Sequence, residues 1–282
     1  MRAVWLGLTG LVALPAPTAA QLSARFDVSV ASRYVWHGLS RAAGTIVQPS
    51  LAGGLRLGRL SLEAGAVRHY ELDAVANGEL SETGTGSGHL GEDDVWARAA
   101  FHFGAARLQA GVVRYLFHGD STRGGLGPGR NTTELYGTVS STGSYLNSSL
   151  EIWSDVDRLH GTFLRYSVSA PVLAWPFPPF IFAFVDGDVG LNLGQGADPN
   201  QPGRVANFAG RGITHAGFGA ALELRARRTP GVGWTTVAVG LRSQVNLDDA
   251  TRVNGVGRRK DLNCWLWTGV TVLLGGEARG LR

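Results

Sequence analysis

The sequence predicts an all-β fold, an up-and-down antiparallel transmembrane β-barrel of about twelve strands. Three observations carry this. Runs of about ten residues alternate apolar and polar side chains, the period of a strand with two unlike faces. The connections between runs are alternately short and long, as in outer-membrane barrels, where one rim has tight turns and the other extended loops. Composition opposes long helices: 41 of the 282 residues are glycine, which costs about 1 kcal/mol relative to alanine inside a helix.

The chain opens with Arg2, an apolar run to Leu14 and a small-residue stretch ending Thr18, Ala19, Ala20. This is the pattern of a secretory signal peptide over 1–20, leaving 21–282 as one barrel domain. The apolar run is too short to span a bilayer, and no later stretch reaches the roughly 18 apolar residues of a membrane helix. Crossing would therefore fall to strands.

The first expected strand, Arg25 to Trp36, has Phe26, Val28, Val30, Ser32, Tyr34 and Trp36 on one parity and Arg25, Asp27, Ser29, Ala31, Arg33 and Val35 on the other. Further strands are expected near Ile46–Leu57, Leu60–Tyr70, Val95–Phe103, Ala106–Phe117, Thr133–Ser141, Tyr145–Ser154, Gly161–Ser169, Phe177–Val185, Ile213–Arg225, Trp234–Asn246 and Leu262–Leu274. Gly58-Arg59, Gly104-Ala105, 141–144 and 227–233 are the short connections. Leu72 to Asp94, 118–132, 186–212 and 247–261 are the long ones. In a barrel with a wet interior the apolar parity faces lipid and the polar parity faces the lumen. Arg114 breaks the rule by sharing parity with Leu108, Ala110 and Val112; a bulge, or a place at the headgroup level, would accommodate it.

Aromatics at strand ends suggest the two membrane interfaces, where one edge of the ring is wet. On that basis Tyr34, Trp36, Tyr70, Trp96, Tyr115, Trp153 and Trp265 are assigned to the long-loop rim, and Trp175, Phe177 and Trp234 to the other. Lone Cys264 allows no internal disulfide and is read as a packed structural thiol. A formal charge of +4 without a basic run argues against nucleic-acid binding.

The stretch from Asp27 to Ser40, DVSVASRYVWHGLS, with Val47, Gln48 and Pro49 after it, resembles the opening of the TorF-type porin family of Gram-negative bacteria. Its core is Ser32 to Trp36 with Gly38; weaker echoes follow at Thr133 to Gly137 and Gly212 to Ala216. The resemblance implies an outer-membrane barrel with a porin-like role and brings no catalytic residues. Its implied surroundings are outer-membrane lipid and lipopolysaccharide, the outer-membrane assembly machinery, and small polar solutes. The last strand partly follows the sorting pattern of such proteins, with Gly269, Val272 and Leu274, but its hydrophobics are aliphatic and a tail from 275 to 282 follows.

Parity and charge nominate Arg25, Asp27, Arg33, Glu63, Arg98, Glu134, Glu151, Arg165, Glu223 and Arg242 as pore-lining. Their signs nearly cancel, which fits both an aqueous path and a neutralised polar plug, and a twelve-strand barrel lies between filled and open sizes. The segment from Glu71 to Asp94 holds seven carboxylates and no Lys or Arg. Carboxylates among glycines can bind calcium, but the spacing matches no EF-hand, so a solvated loop is expected and no metal or cofactor is assigned. Asp186-Gly187-Asp188 reads as a strand end. No Gly-x-Ser-x-Gly or His-Glu-x-x-His pattern occurs, so the chain is not expected to be an enzyme. Passive diffusion of small polar solutes is the leading expectation. A closed structural or interaction barrel stands as the alternative, and a lipid-modifying enzyme using a rim histidine such as His118 as a third.

Overall fold

The structure is a computed structural model that describes residues 20–73, 81, 89–120, 126–143, 145–175, 177–196, 207–227, 233–254 and 258–275. The expected signal peptide lies outside the described residues, apart from Ala20. The strands are β1 (Gln21–Ala31), β2 (Tyr34–Trp36), β3 (Leu39–Ala42), β4 (Ile46–Leu57), β5 (Leu60–Glu71), β6 (His89–Phe103), β7 (Ala106–Phe117) and β8 (Thr132–Thr142). They continue with β9 (Asn147–Asp155), β10 (Thr162–Trp175), β11 (Phe180–Asn192), β12 (Gly212–Arg227), β13 (Gly233–Asn246), β14 (Val253–Asn254), β15 (Arg258–Arg259) and β16 (Leu262–Gly275). A short helix α1 (Asp249–Arg252) precedes β14, and no described helix is long and apolar enough to cross a membrane.

Twelve of these strands form one closed antiparallel barrel in which each strand pairs with its sequence neighbour. Closure comes from β1 against β16, with Ser23 opposite Gly275 and Ala31 opposite Trp267. Closing the sheet gives every wall strand a partner on both sides, leaving no exposed edge. The short turns and the outer ends of β1 and β16 share one rim. The long connections share the other.

The outward face is a belt of exposed apolar side chains. Phe26, Leu51, Leu62, Val95, Phe101, Leu108, Val139, Leu150, Tyr166, Phe218, Val239 and Leu266 all lie on it. A water-soluble monomer rarely exposes more than a few hundred Å² of contiguous apolar surface. A continuous apolar belt around a closed sheet is the surface of a barrel that sits in hydrocarbon.

Arg114 stays outward near the long-loop rim, and the register of β7 with both neighbours carries no shift. It reaches Thr133 Oγ1 at 2.7 Å and pairs with Asp157 in the β9–β10 connection. Polar rim partners, not a bulge, accommodate the charge.

Four boundaries differ from the expectation: β10 runs to Trp175, past the expected end at Ser169, and three others shift. The wall strand β1 ends at Ala31, not Trp36: Ser32 exchanges hydrogen bonds with Leu266, and the chain then turns into the barrel. The sixth strand starts at His89, since Glu92 and Asp94 continue the inward parity of Trp96 and Arg98. Asp186 and Asp188 fall inside β11, not at its end, because Arg242 of β13 reaches between both carboxylates.

Candidate functional site

The inward face builds a lumen from alternating charges. Arg25 bonds Asp27 at 2.9 Å and approaches Glu63 at 3.2 Å, while Arg98 closes on the same Glu63 at 2.8 Å. Ser50 donates to Asp27 at 3.0 Å. Across the barrel Arg165 holds both oxygens of Glu151, at 3.0 and 2.8 Å. Arg225 donates to Glu223 at 3.0 Å, and Arg242 pairs with Asp186 and Asp188. Each of these arginines is partly exposed, and each is held by a carboxylate of its own strand or of a strand near it in the wall. Of the ten residues nominated as pore-lining, Arg25, Asp27, Arg98 and Arg165 line the cavity described below.

Six of the ten aromatics assigned to the membrane interfaces, Tyr34, Trp36, Trp96, Trp153, Trp234 and Trp265, point into the barrel. Tyr34 packs against His69 at 4.6 Å between ring centroids, Trp36 against Tyr115 at 5.6 Å and Trp153 against Tyr136 at 4.4 Å. Trp96 takes the Arg98 guanidinium over its ring at 4.6 Å. Trp234 packs on Phe180 on the inward face, and Trp265 sits opposite Arg242 on the inward parity. Tyr115 is likewise inward and buried. The physical reason is legible in the alternation: Trp96 has the parity of Arg98, and Trp153 that of Glu151. Position near a strand end does not override the side on which a residue falls. Trp175 and Phe177, by contrast, are exposed.

The mouth at the long-loop rim is filled by the segment after β1. The strands β2 and β3 form a two-residue hairpin with Trp36 opposite Leu39. Its turn residues His37 and Gly38 have φ of 48° and 85°, the paired positive values of a turn whose twist suits a hairpin. A Cβ on Gly38 would sit 2.2 Å from the His215 ring, so only glycine fits at the tip. Gln244 of β13 donates to the Gly38 carbonyl at 2.7 Å, and Arg33 donates to Ser40 at 2.7 Å, both buried. Arg33 therefore fastens the base of the hairpin and does not line an open path.

Glu134 is the centre of this closure. It is fully buried and accepts from Tyr115 at 3.0 Å and from Gln195 at 3.0 Å, with His37 Nε2 at 3.4 Å. Tyr115 in turn accepts from the Trp36 indole at 3.2 Å. One carboxylate thus ties together β8, β7, the hairpin and the segment after β11. Leu39, Phe163 and Phe208 add an apolar cluster with Trp36, Trp153 and Ala250 packed on it. Burial pushes the His37 imidazole below its ordinary value, against the opposing pull of the Glu134 carboxylate. Replacing Glu134 by Ala strands buried donors of Tyr115 and Gln195. Each orphaned group costs about 1–3 kcal/mol, so urea unfolding in lipid vesicles is expected to shift accordingly, with Glu134→Gln losing less.

Beneath the hairpin lies a cavity of about 460 Å³. Its walls carry Arg25, Arg98 and Arg165, Asp27 and Asp94, and the rings of Trp96, Tyr136 and Trp153. Aromatic faces alternating with hydrogen-bonded charges suit small polar molecules with an apolar side. Thr214, His215 and Asp188 form a chain of contacts of 3.0 and 3.2 Å. Thr214 and His215 are buried, and Gly38 covers the histidine ring.

Sequence reasoning missed the plugging hairpin and the contacts that Tyr115, Glu134 and Gln244 make with it. The His37-Gly38 pair was the available signal: a glycine one residue beyond an aromatic-rich run marks a turn.

No family model matches the sequence, and no curated protein matches it. Among solved structures, LpxR from Salmonella typhimurium aligns with a TM-score of 0.50 and 10% identity, over 88% of this chain and 99% of that one. The NanC porin aligns at 0.46 with 11% identity, over 88% and 98%. An outer membrane channel from Pseudomonas putida F1 aligns at 0.43 with 13% identity, over 96% and 100%. At such identities the likeness is one of fold.

Proposed function

We propose that this chain is an outer-membrane barrel that passes small polar solutes by diffusion through a narrow lumen, with residues 32–45 as the restriction. The single observation carrying the reading is the charged, aromatic-walled cavity enclosed by an outward apolar belt. An inward polar face has no stabilising role in a sheet surrounded by lipid unless water or other polar groups occupy the interior. The resemblance of the Arg33–Gly38 stretch to the TorF-type porins supports the same location and role. On this reading the chain carries out no catalysis.

The test is single-channel recording of the purified protein in a planar bilayer. Discrete, ohmic current steps are expected, small for a barrel of this size. Steady absence of current in several salts would remove the diffusion reading. It would favour a closed interaction barrel, which the packing of Glu134, Phe163 and Phe208 around the hairpin also supports.

A further inference from the structure

The loop-rim end of β5 and β6 brings together three ligand-type side chains. His69 on β5 and Glu92 and Asp94 on β6 are all buried, and one ligand-type atom from each lies within 4.8 Å of the others. We propose that these three side chains form a binding site for a divalent transition ion of the zinc class, set in the wall of the barrel mouth.

Proximity of carboxylates alone would not carry this. The histidine does. His69 is 2% exposed, and its Nε2 makes no hydrogen bond of acceptable geometry, although it points at Asp94 Oδ2 from 3.3 Å. An imidazole nitrogen that faces a carboxylate oxygen at this distance without a well-aligned hydrogen bond has the placement of a co-ligand. A tetrahedral zinc with bonds of about 2.0–2.2 Å separates its ligand atoms by roughly 3.3–3.6 Å. The His69–Asp94 separation already meets that value, and Glu92 has to close by little more than one ångström.

The other ring nitrogen is positioned for the role. His69 Nδ1 lies 3.0 Å from the Gln48 amide, whose other end meets Ser29 at 3.2 Å. Turning that amide over exchanges its oxygen and nitrogen without moving a heavy atom. The oxygen then accepts from Nδ1–H and leaves the Nε2 lone pair for a metal. A ligating histidine anchored in this way through its second nitrogen is the usual outer-shell arrangement. The Tyr34 ring at 4.6 Å limits rotation of the imidazole on the hairpin side.

The donor set selects the ion. One imidazole with two carboxylates suits zinc and its neighbours better than calcium or magnesium, which favour all-oxygen shells. His69 and Asp94 also line the 460 Å³ cavity, giving an ion a route from the lumen. An ion here would clamp β5 to β6 directly beside Tyr34, at the edge of the hairpin.

The experiment uses the full-length, tag-free protein folded in detergent, stripped with chelator and titrated with zinc chloride by calorimetry. One ion per chain is expected. His69→Gln and Glu92→Gln should each weaken binding by at least about tenfold, while His118→Ala, which removes the exposed imidazole beside Asp93, should leave it unchanged. Should a variant fail to fold, cobalt(II) bound to the wild type gives a separate reading. Intense visible bands of a low-coordinate site with a nitrogen ligand are expected. Failure of the wild type to take up zinc, undiminished uptake in both His69→Gln and Glu92→Gln, or only the weak spectrum of water-coordinated cobalt would each overturn the site. All readouts are made in detergent without a current, so they stand or fall apart from the diffusion reading.

Discussion

Replacing residues 34–42 with a short glycine–serine linker is expected to raise the single-channel conductance severalfold. The wall leaves this segment at Ala31 and takes the chain back at Ile46, and these two residues are paired across β1 and β4. The gap to be bridged is therefore short, and none of the twelve wall strands is touched. What the excision removes is Trp36, His37 and Leu39, the groups that meet Glu134, Tyr115 and Phe163 in the mouth. A hydrated path that is constricted at one level has its resistance concentrated there, so widening that level dominates the current. Circular dichroism and the migration of unheated protein on gels check that the barrel has formed. Unchanged conductance in a folded variant would mean that the lumen is constricted elsewhere and would sink the role given to the hairpin.

Phe26→Arg should cost roughly 2–4 kcal/mol, the penalty for arginine on the lipid face near the bilayer midplane. Val30 shares its face, but β1 ends one residue later, so Val30 lies toward the rim and its substitution should cost less. Phe26 is the midpoint of the strand and half exposed to the outside. Ser29→Arg is the control, since Ser29 lines the cavity and an arginine there remains hydrated. Unfolding in urea from lipid vesicles reads both. Equal losses at Phe26 and Ser29 would reject the facing of the whole sheet, because residues an odd number of positions apart in a strand face opposite sides.

The wall of the barrel was legible because period-two alternation is imposed residue by residue, and lipid outside with water inside makes its two classes chemically distinct. Loop lengths then ordered the strands. Sidedness of charge also survived in detail: Glu63 and Arg98, read as inward from parity alone, meet at 2.8 Å. The mouth was not legible for a different reason. Tyr34 and Trp36 continue the alternation of β1, so nothing local distinguishes a strand that stays in the wall from one that leaves it at Ser32. The choice is made by partners distant in sequence, Glu134, Tyr115 and Gln244, whose side chains meet the hairpin once it turns inward. The same limit applies to the aromatics. Their amphipathic character fits an interface and a polar lumen equally well, and only parity separates the two.

Cys264 lies on the outward parity of β16, exposed, with Ser243 of the adjacent strand 3.2 Å away. The sequence contains one cysteine, so a nitroxide or fluorophore coupled to that sulfur reports from a single known spot on the outer wall. Quenchers confined to chosen depths of the acyl chains would turn it into a ruler, fixing how high the cylinder rides in its membrane without any residue having been changed.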